Sequence, residues 1–296
     1  MIGLLDLDGK MPIIPLMKIK NKYKEQAEWF NPMFKYEKVY VSKLFDFTPD
    51  FKYPINAKEV IKGGTGYNLK SKLPEEIENQ DLDYSIYPNC NYSMQFFSRG
   101  CIRNCPFCVV RQKEGYIKPV EPMNLNPKGE WIEVLDNNFF ANPEWKSAIQ
   151  QLLKWDQPVN FHGIDARILT EEQAYFLNQL KHKKQIHIAW DNPKDNLVPR
   201  LKEITKWIKP YKLMCYVLIG YWSTPEEDLY RVEKLRELKI DPFVMPYDKS
   251  DPYQRNFARW VNHKAIWKTV KWEDYRKASK LEEIENEQRR SPEKGN

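Results

Sequence analysis

Between residues 92 and 246 the chain repeats one pattern: a short apolar run, a polar cluster at its end, then an amphipathic stretch. The apolar runs are 92–97, 131–135, 159–162, 185–190, 213–219 and 242–245. Runs of this length predict strands, and the last two are apolar enough to be buried on both faces, as parallel sheets require. The stretches between them carry helix-start signals. Asn142-Pro143-Glu144 opens a run to Trp155, with proline where a missing N–H costs nothing. Thr170-Glu171-Glu172-Gln173 and Thr224-Pro225-Glu226-Glu227 are capping-box patterns. Six strands joined by helical crossovers predict an α/β chain with a parallel barrel or part of one.

Residues 1–90 predict a separate small α/β unit. Residues 2–6 form a strand candidate, and 16–30 have helical spacing made basic by Lys18, Lys20, Lys22 and Lys24. Residues 39–45 alternate as a strand does, and Val60-Ile61 precede the run Gly63-Gly64-Thr65-Gly66. This order suggests half of a doubly wound fold. The glycine run suits a phosphate cradle or a tight turn at positive φ. No Gly-Lys-Ser/Thr follows it, so the turn is the preferred reading. Residues 74–88, acidic and rich in turn formers, read as a connector. Beyond Pro252, Phe257, Trp260, Trp267, Trp272 and Tyr275 stand among lysines and arginines. Such a pattern stacks bases or packs a helix onto the domain, and packing is preferred. The expected segments are 1–90, 91–250 and an aromatic, basic extension over 251–296, with 291–296 frayed.

A chain of 296 residues that is 42% apolar can bury a real core, which excludes general disorder. No apolar run approaches the roughly 18 residues that span a bilayer, so no membrane contact is expected. The start, Met1-Ile2-Gly3-Leu4-Leu5-Asp6-Leu7-Asp8, is acidic and has no basic leader, so no signal peptide is expected. An odd number of cysteines, five, argues for a reducing compartment, and a cytoplasmic location is expected. The net charge of +6 comes from 47 basic and 41 acidic residues that are interspersed, which reads as a mixed solvated surface.

The candidate chemistry lies after the first strand of the repeat. Cys101, Cys105 and Cys108 fall within eight residues, in Phe97-Ser98-Arg99-Gly100-Cys101-Ile102-Arg103-Asn104-Cys105-Pro106-Phe107-Cys108. Thiolates grouped this tightly on a loop suit a soft metal centre. Zinc sites and ferredoxin-type clusters usually take four protein ligands, whereas three sit together here, leaving one coordination position for something other than protein. The other polar candidates also fall at strand ends: Asp136, Asn137 and Asn138; Asp165 and Arg167; Asp191; Gly220. In parallel barrels the loops at those ends converge on one mouth. Read from the residues alone, these are equally an Asn-rich turn, a salt bridge between loops and a bend. His162 reads as a buried, hydrogen-bonded histidine, Cys215 as a core residue and Cys90 as unassigned.

The spacing Cys-x3-Cys-x2-Cys with Phe107 before the last cysteine resembles the radical S-adenosylmethionine enzymes. Ser98-Arg99-Gly100 is similar to the cobalamin-binding and methylthiotransferase branches. The resemblance covers roughly 92–250. It implies an incomplete parallel (β/α)6 barrel and a four-iron, four-sulfur (4Fe-4S) cluster held by Cys101, Cys105 and Cys108. It further implies S-adenosyl-L-methionine on the fourth iron and an external flavodoxin- or ferredoxin-type electron donor. The expected outcome is a 5′-deoxyadenosyl radical acting on an unidentified substrate. By the same resemblance Asp136, Asn137 and Asn138 stand where the family holds the S-adenosylmethionine amino group, in place of its frequent Gly-Gly-Glu. Asp165 and Arg167 correspond to contacts with ribose and carboxylate, Asp191 to a ribose hydroxyl, and Gly220 and Phe107 to neighbours of the adenine. Residues 1–90 look like a shortened cobalamin-binding domain, but no Asp-x-His-x-x-Gly occurs and Asp6-Leu7-Asp8-Gly9 lacks the histidine, so cobalamin is not expected. Two rivals stand beside this reading. One is methyl or methylthio transfer to RNA, without the auxiliary cysteines of methylthiotransferases. The other is a zinc-stabilised nucleic-acid-binding protein, with His162 or Cys90 as fourth ligand.

Overall fold

Apolar β-branched and aromatic residues cluster where strands form, and all three larger sheets of the computed structural model are parallel. The structure describes residues 1–9 and 11–278; the expected fraying of 291–296 lies outside them. Two compact units are present, one of residues 1–162 with 180–183, the other of 163–179 with 184–296.

The first unit begins with β1 (Ile2–Asp6), α1 (Ile14–Tyr23), β2 (Ala27–Trp29), β3 (Tyr36–Ser42) and β4 (Ala57–Gly63). These strands form one parallel sheet in the order β2-β1-β3-β4. Leu4, Leu16, Met17 and Ile19 bury the contact between β1 and α1. The helix expected over 16–30 stops at Tyr23, because Lys24 takes φ +50° and Lys20 Nζ caps the carbonyls of Lys24 and Ala27 at 2.8 and 3.0 Å. The next residues then pair with β1, Ile2 opposite Ala27. The glycine run after β4 is a turn: Gly64 has φ +99°, and a Cβ there would lie 2.3 Å from Lys43 O. Gly66 N donates to Lys43 O at 2.9 Å and Tyr67 N to Gly64 O at 3.0 Å, so these N–H groups are already occupied.

After a short helix α2 (Glu75–Glu78), the same unit continues with β5 (Tyr92–Gln95), β6 (Ser98–Arg99), α3 (Val110–Glu114), β7 (Lys118–Pro119), β8 (Trp131–Val134), α4 (Trp145–Trp155) and β9 (Val159–Phe161). Strands β5, β8 and β9 form a parallel sheet in that order, while β6 and β7 pair antiparallel. In β8 the buried Ile132 and Val134 alternate with half-buried residues, as a period of two requires, whereas Val159, Asn160 and Phe161 of β9 are all buried. Helix α4 buries Ala148, Ile149 and Leu152, the i, i+1, i+4 stripe of its apolar face, and ends where Asp156 turns left-handed.

The second unit holds α5 (Glu171–Gln179), β10 (Ile186–Ala189), α6 (Val198–Ile204), β11 (Leu213–Ile219), α7 (Pro225–Glu237), β12 (Asp241–Pro246), α8 (Pro252–Asn262) and α9 (Lys264–Thr269). Its parallel sheet runs β10-β11-β12. The six strands read from the sequence thus all exist, as two three-stranded parallel sheets. Thr224 and Glu227 form the expected capping box of α7, and Thr170 and Gln173 bond reciprocally before α5. The aromatics beyond Pro252 are packed: Phe257, Trp260, Trp267 and Trp272 are buried, and neighbouring rings meet at 5.0–5.4 Å. Arg236 stacks on Trp267 at 3.8 Å, so these rings belong to the core and offer no stacking platform.

One guanidinium closes the carboxyl ends of two strands. Arg231 on α7 is fully buried and donates to the carbonyls of Trp190, Asp191 and Leu218 at 2.9, 3.1 and 2.9 Å, and to Asp228 Oδ1 at 2.6 Å. Tyr253 on α8 donates to the other Asp228 oxygen at 3.0 Å. Removing one partner of a buried pair strands the other charge. Arg231→Met is therefore expected to cost about 3–5 kcal/mol of unfolding free energy. Chemical denaturation checks this, and a loss below about 1 kcal/mol would contradict the role assigned.

Candidate functional site

The cysteine loop is an excursion closed at its base by backbone. Ser98 pairs with Pro119 and Arg99 with Lys118, so residues 100–117 leave and return through one narrow neck. Gly100 has φ +86°, and a Cβ on it would sit 2.5 Å from Tyr116 O and 2.7 Å from Gly115 O; only glycine fits this approach. Cys101 N completes the neck by donating to Gly115 O at 3.3 Å.

Glu114, at the end of α3, ties this neck to the end of β8. Its carboxylate accepts from Arg99 Nη2 and Nε at 2.7 and 3.1 Å, from Gly100 N at 2.9 Å and from Asn137 Nδ2 at 2.9 Å. The bidentate Arg–carboxylate pair is charge-assisted, and Glu114 is nearly buried, so screening by solvent is weak. Arg99 also lies over the Phe96 ring at 4.1 Å, and Arg111 donates to Cys101 O at 3.1 Å.

The three polar residues after β8 all engage this loop or its root. Asp136 accepts from Phe97 N at 2.9 Å on one oxygen and from the Ser98 hydroxyl on the other. Burial pushes its carboxyl up to about 6, against the lowering effect of those hydrogen bonds. Asn137 reaches Glu114, and Asn138 Nδ2 lies 3.8 Å from Cys101 Sγ. Asn142 adds a fourth tie, donating to Phe97 O at 3.0 Å while its own oxygen accepts from Glu144 N. All three cysteines are half-buried. Cys101 Sγ also accepts from Arg103 N at 3.3 Å, and Cys108 N donates to Cys105 O at 3.0 Å across a turn containing Pro106 and the half-buried Phe107. Among the described residues no group of three or more His, Cys, Asp or Glu side chains is drawn together at metal-holding distances. The loop carries the three sulfurs on one short, half-buried segment.

The second unit gathers other candidates. Asp165 takes Arg167 bidentately, Nε at 2.7 Å and Nη2 at 3.0 Å, and Arg167 reaches Asp195 at 3.5 Å. Asp191 is pushed above the usual carboxylate range by burial, eased by the charges of Arg167 and Arg231, and its Oδ1 is buried without a hydrogen-bond partner. Gly220 has φ +80°, and a Cβ there would overlap the Gln254 side chain at 2.1 Å, so this glycine answers to local packing. Cys215 is fully buried, and burial pushes its thiol up. In the first unit Cys90 donates to Tyr92 O at 3.3 Å, and His162 bonds Glu133, which also accepts from Trp131 and Asn160. His162 is half exposed rather than buried as the sequence reading had it.

Glu114, Arg99, Ser98 and Asn142 were not singled out as site residues from the sequence. A cation two residues before the first cysteine and an anion six after the last were the available signal. Comparison with known proteins adds no assignment: no protein-family model matches the chain, and no curated protein matches it in sequence.

Two outcomes follow from this geometry. Folded Asp136 holds its proton more tightly than an unfolded aspartate, so its contribution is most favourable at low pH. It is expected to weaken as pH rises from about 4 to about 6, and Asp136→Asn to flatten that dependence of the unfolding midpoint. Glu114→Ala leaves Arg99, Gly100 N and Asn137 without their shared acceptor at a cost of about 1–3 kcal/mol. Amide exchange over residues 100–117 is expected to accelerate while β8 and β9 stay protected.

Proposed function

We propose that the chain is a radical S-adenosylmethionine enzyme, with Cys101, Cys105 and Cys108 as ligands of a 4Fe-4S cluster. The observation that carries this reading is the loop itself: three thiols on eight residues, rooted by Glu114 and touched by the polar residues that end β8. The donor set suits a soft metal centre, and three sulfurs leave one iron without a protein ligand. The fit is chemical, resting on three thiol donors carried by one half-buried loop. In this reading the two three-stranded sheets are parts of one incomplete (β/α)6 barrel.

Held by Cys101, Cys105 and Cys108, such a cluster would supply one-electron reduction of S-adenosylmethionine, the chemistry that cleaves its carbon–sulfur bond to methionine and a 5′-deoxyadenosyl radical. The chain's own residues do the rest. Asp136 holds the loop root through Phe97 N and Ser98, Asn137 fixes Glu114, and Asn138 offers an amide N–H toward Cys101 Sγ. N–H donation to a ligating sulfur stabilises its negative charge and raises the reduction potential. Asp165, Arg167, Asp191, Gly220 and Phe107 are assigned to the cosubstrate by the resemblance alone. The electron comes from an external flavodoxin- or ferredoxin-type donor, and the substrate is open. Methyl or methylthio transfer to RNA gains nothing from Cys90 and Cys215, both buried. The zinc-stabilised nucleic-acid reading loses the aromatic stacking surface it invoked.

Anaerobic reconstitution is expected to give a brown protein with about four irons per chain. With a strong reductant it is expected to release 5′-deoxyadenosine from S-adenosylmethionine, and Cys105→Ala to abolish both. A colourless protein holding one zinc would overturn the reading.

A further inference from the structure

The N-terminal sheet carries a second candidate site, independent of the cysteine loop. Beyond the carboxyl ends of β1 and β2 lies a crevice of about 300 Å³, lined by Leu4, Asp6, Gly9, Trp29, Phe30 and Tyr87 among others. Ligands of open parallel α/β sheets bind outside the carboxyl ends of the strands, and the crevice lies at that end, beside the β1–β3 reversal of strand order rather than in it. Its size is at the lower end for small-molecule sites.

The lining is chemically one-sided. Trp29 and Tyr87 meet nearly perpendicular, 74° with centroids 5.3 Å apart, and so form a corner of two aromatic walls, with Phe30 a third ring. The Trp29 indole N–H is held by Ile86 O at 3.1 Å, which fixes the ring. Asp6 is the charged member of the lining. Its Oδ1 accepts from Asp8 N and Gly9 N, both at 3.0 Å, whereas its Oδ2 has only a long contact to Tyr87 Oη at 3.4 Å. Among the described residues no lysine, arginine or histidine pairs with Asp6. The neighbouring Asp8 is committed elsewhere, to Leu44 N and Thr48 Oγ1, and holds the loop in place. A carboxylate with no cationic partner among the described residues, set among aromatic rings, selects for positive charge twice, through its own field and through the ring quadrupoles. The same wall repels phosphates and carboxylates.

We propose that this crevice binds a small organic cation, an alkylated or protonated amine, with its charged head against Asp6 and its carbon substituents against Trp29, Phe30 and Tyr87. The proposal stands or falls separately from the radical reading, since none of these residues belongs to the cysteine loop.

Isothermal titration of the full-length protein with choline, tetramethylammonium and spermidine tests it, with 3,3-dimethyl-1-butanol as the uncharged isostere of choline. Saturable binding of at least one cation is expected, weakened about tenfold or more by Trp29→Leu and by Asp6→Asn, with the neutral isostere bound far more weakly. Asp6→Asn keeps an oxygen for the Asp8 and Gly9 amides, so its fold is expected to persist, and circular dichroism checks this. The proposal is overturned if no cation saturates, if the isostere binds as well as choline, or if both variants bind as the parent does.

Discussion

The carboxylate of Glu114 is the contact on which the candidate site depends. It gathers a guanidinium and a backbone N–H from residues 99–100 and a side-chain amide from Asn137, and each is a donor that a nearly buried acceptor requires. Without it, residues 100–117 would be a long loop held by the two-residue pairing of β6 with β7 and a few single hydrogen bonds. With it, the segment bearing Cys101, Cys105 and Cys108 is referenced to the end of β8, a rigid element. Gly100 supplies the complementary steric condition, since any side chain there would push the two sides of the neck apart. A site on a loop gains precision only from such second contacts.

The second unit uses the same device in another form. Parallel strands leave carbonyl groups at their carboxyl ends, and Arg231 satisfies three of them while Asp228 neutralises its charge. Fixed positive charge is thereby built next to Asp191, whose buried Oδ1 lacks a hydrogen-bond partner. In both units the polar residues at strand ends first answer a structural demand, and what remains of their bonding capacity is available for chemistry. Asp136 illustrates the balance: both oxygens are engaged, and burial brings its titration toward neutrality.

Much of this was legible before any coordinates. The run 213–219 coincides with β11, but it is buried on one face only over its first half, where Met214 and Tyr216 are half-buried, and β12 leaves Phe243 exposed, so neither strand is covered on both faces throughout. The Thr224 capping box is a local rule and was met locally. The error over 16–30 has a local cause too: Ala27, Trp29 and Phe30 suit a helical stripe as well as a three-residue strand, and Lys24 at positive φ decides between them. The role of Glu114 was hidden for a different reason. Its partners lie 14, 15 and 23 residues away, and such pairings exist only once the neck has formed. The aromatic tail had two consistent readings in sequence, and burial of Phe257, Trp260 and Trp272 decides for packing. The polar strand ends at 136–138, 165–167 and 191 were visible as a pattern, whereas their division between two compact units was not.

The central claim is that the clamped loop presents three thiolates to a cluster with one iron open to S-adenosylmethionine. Electron paramagnetic resonance of the reduced, reconstituted protein addresses that iron directly. The account predicts a 4Fe-4S signal whose g-values shift when S-adenosylmethionine is added, and loses that shift when any one of the three cysteines is replaced. A cluster signal indifferent to S-adenosylmethionine, or no cluster signal at all in protein whose loop is intact, would contradict it.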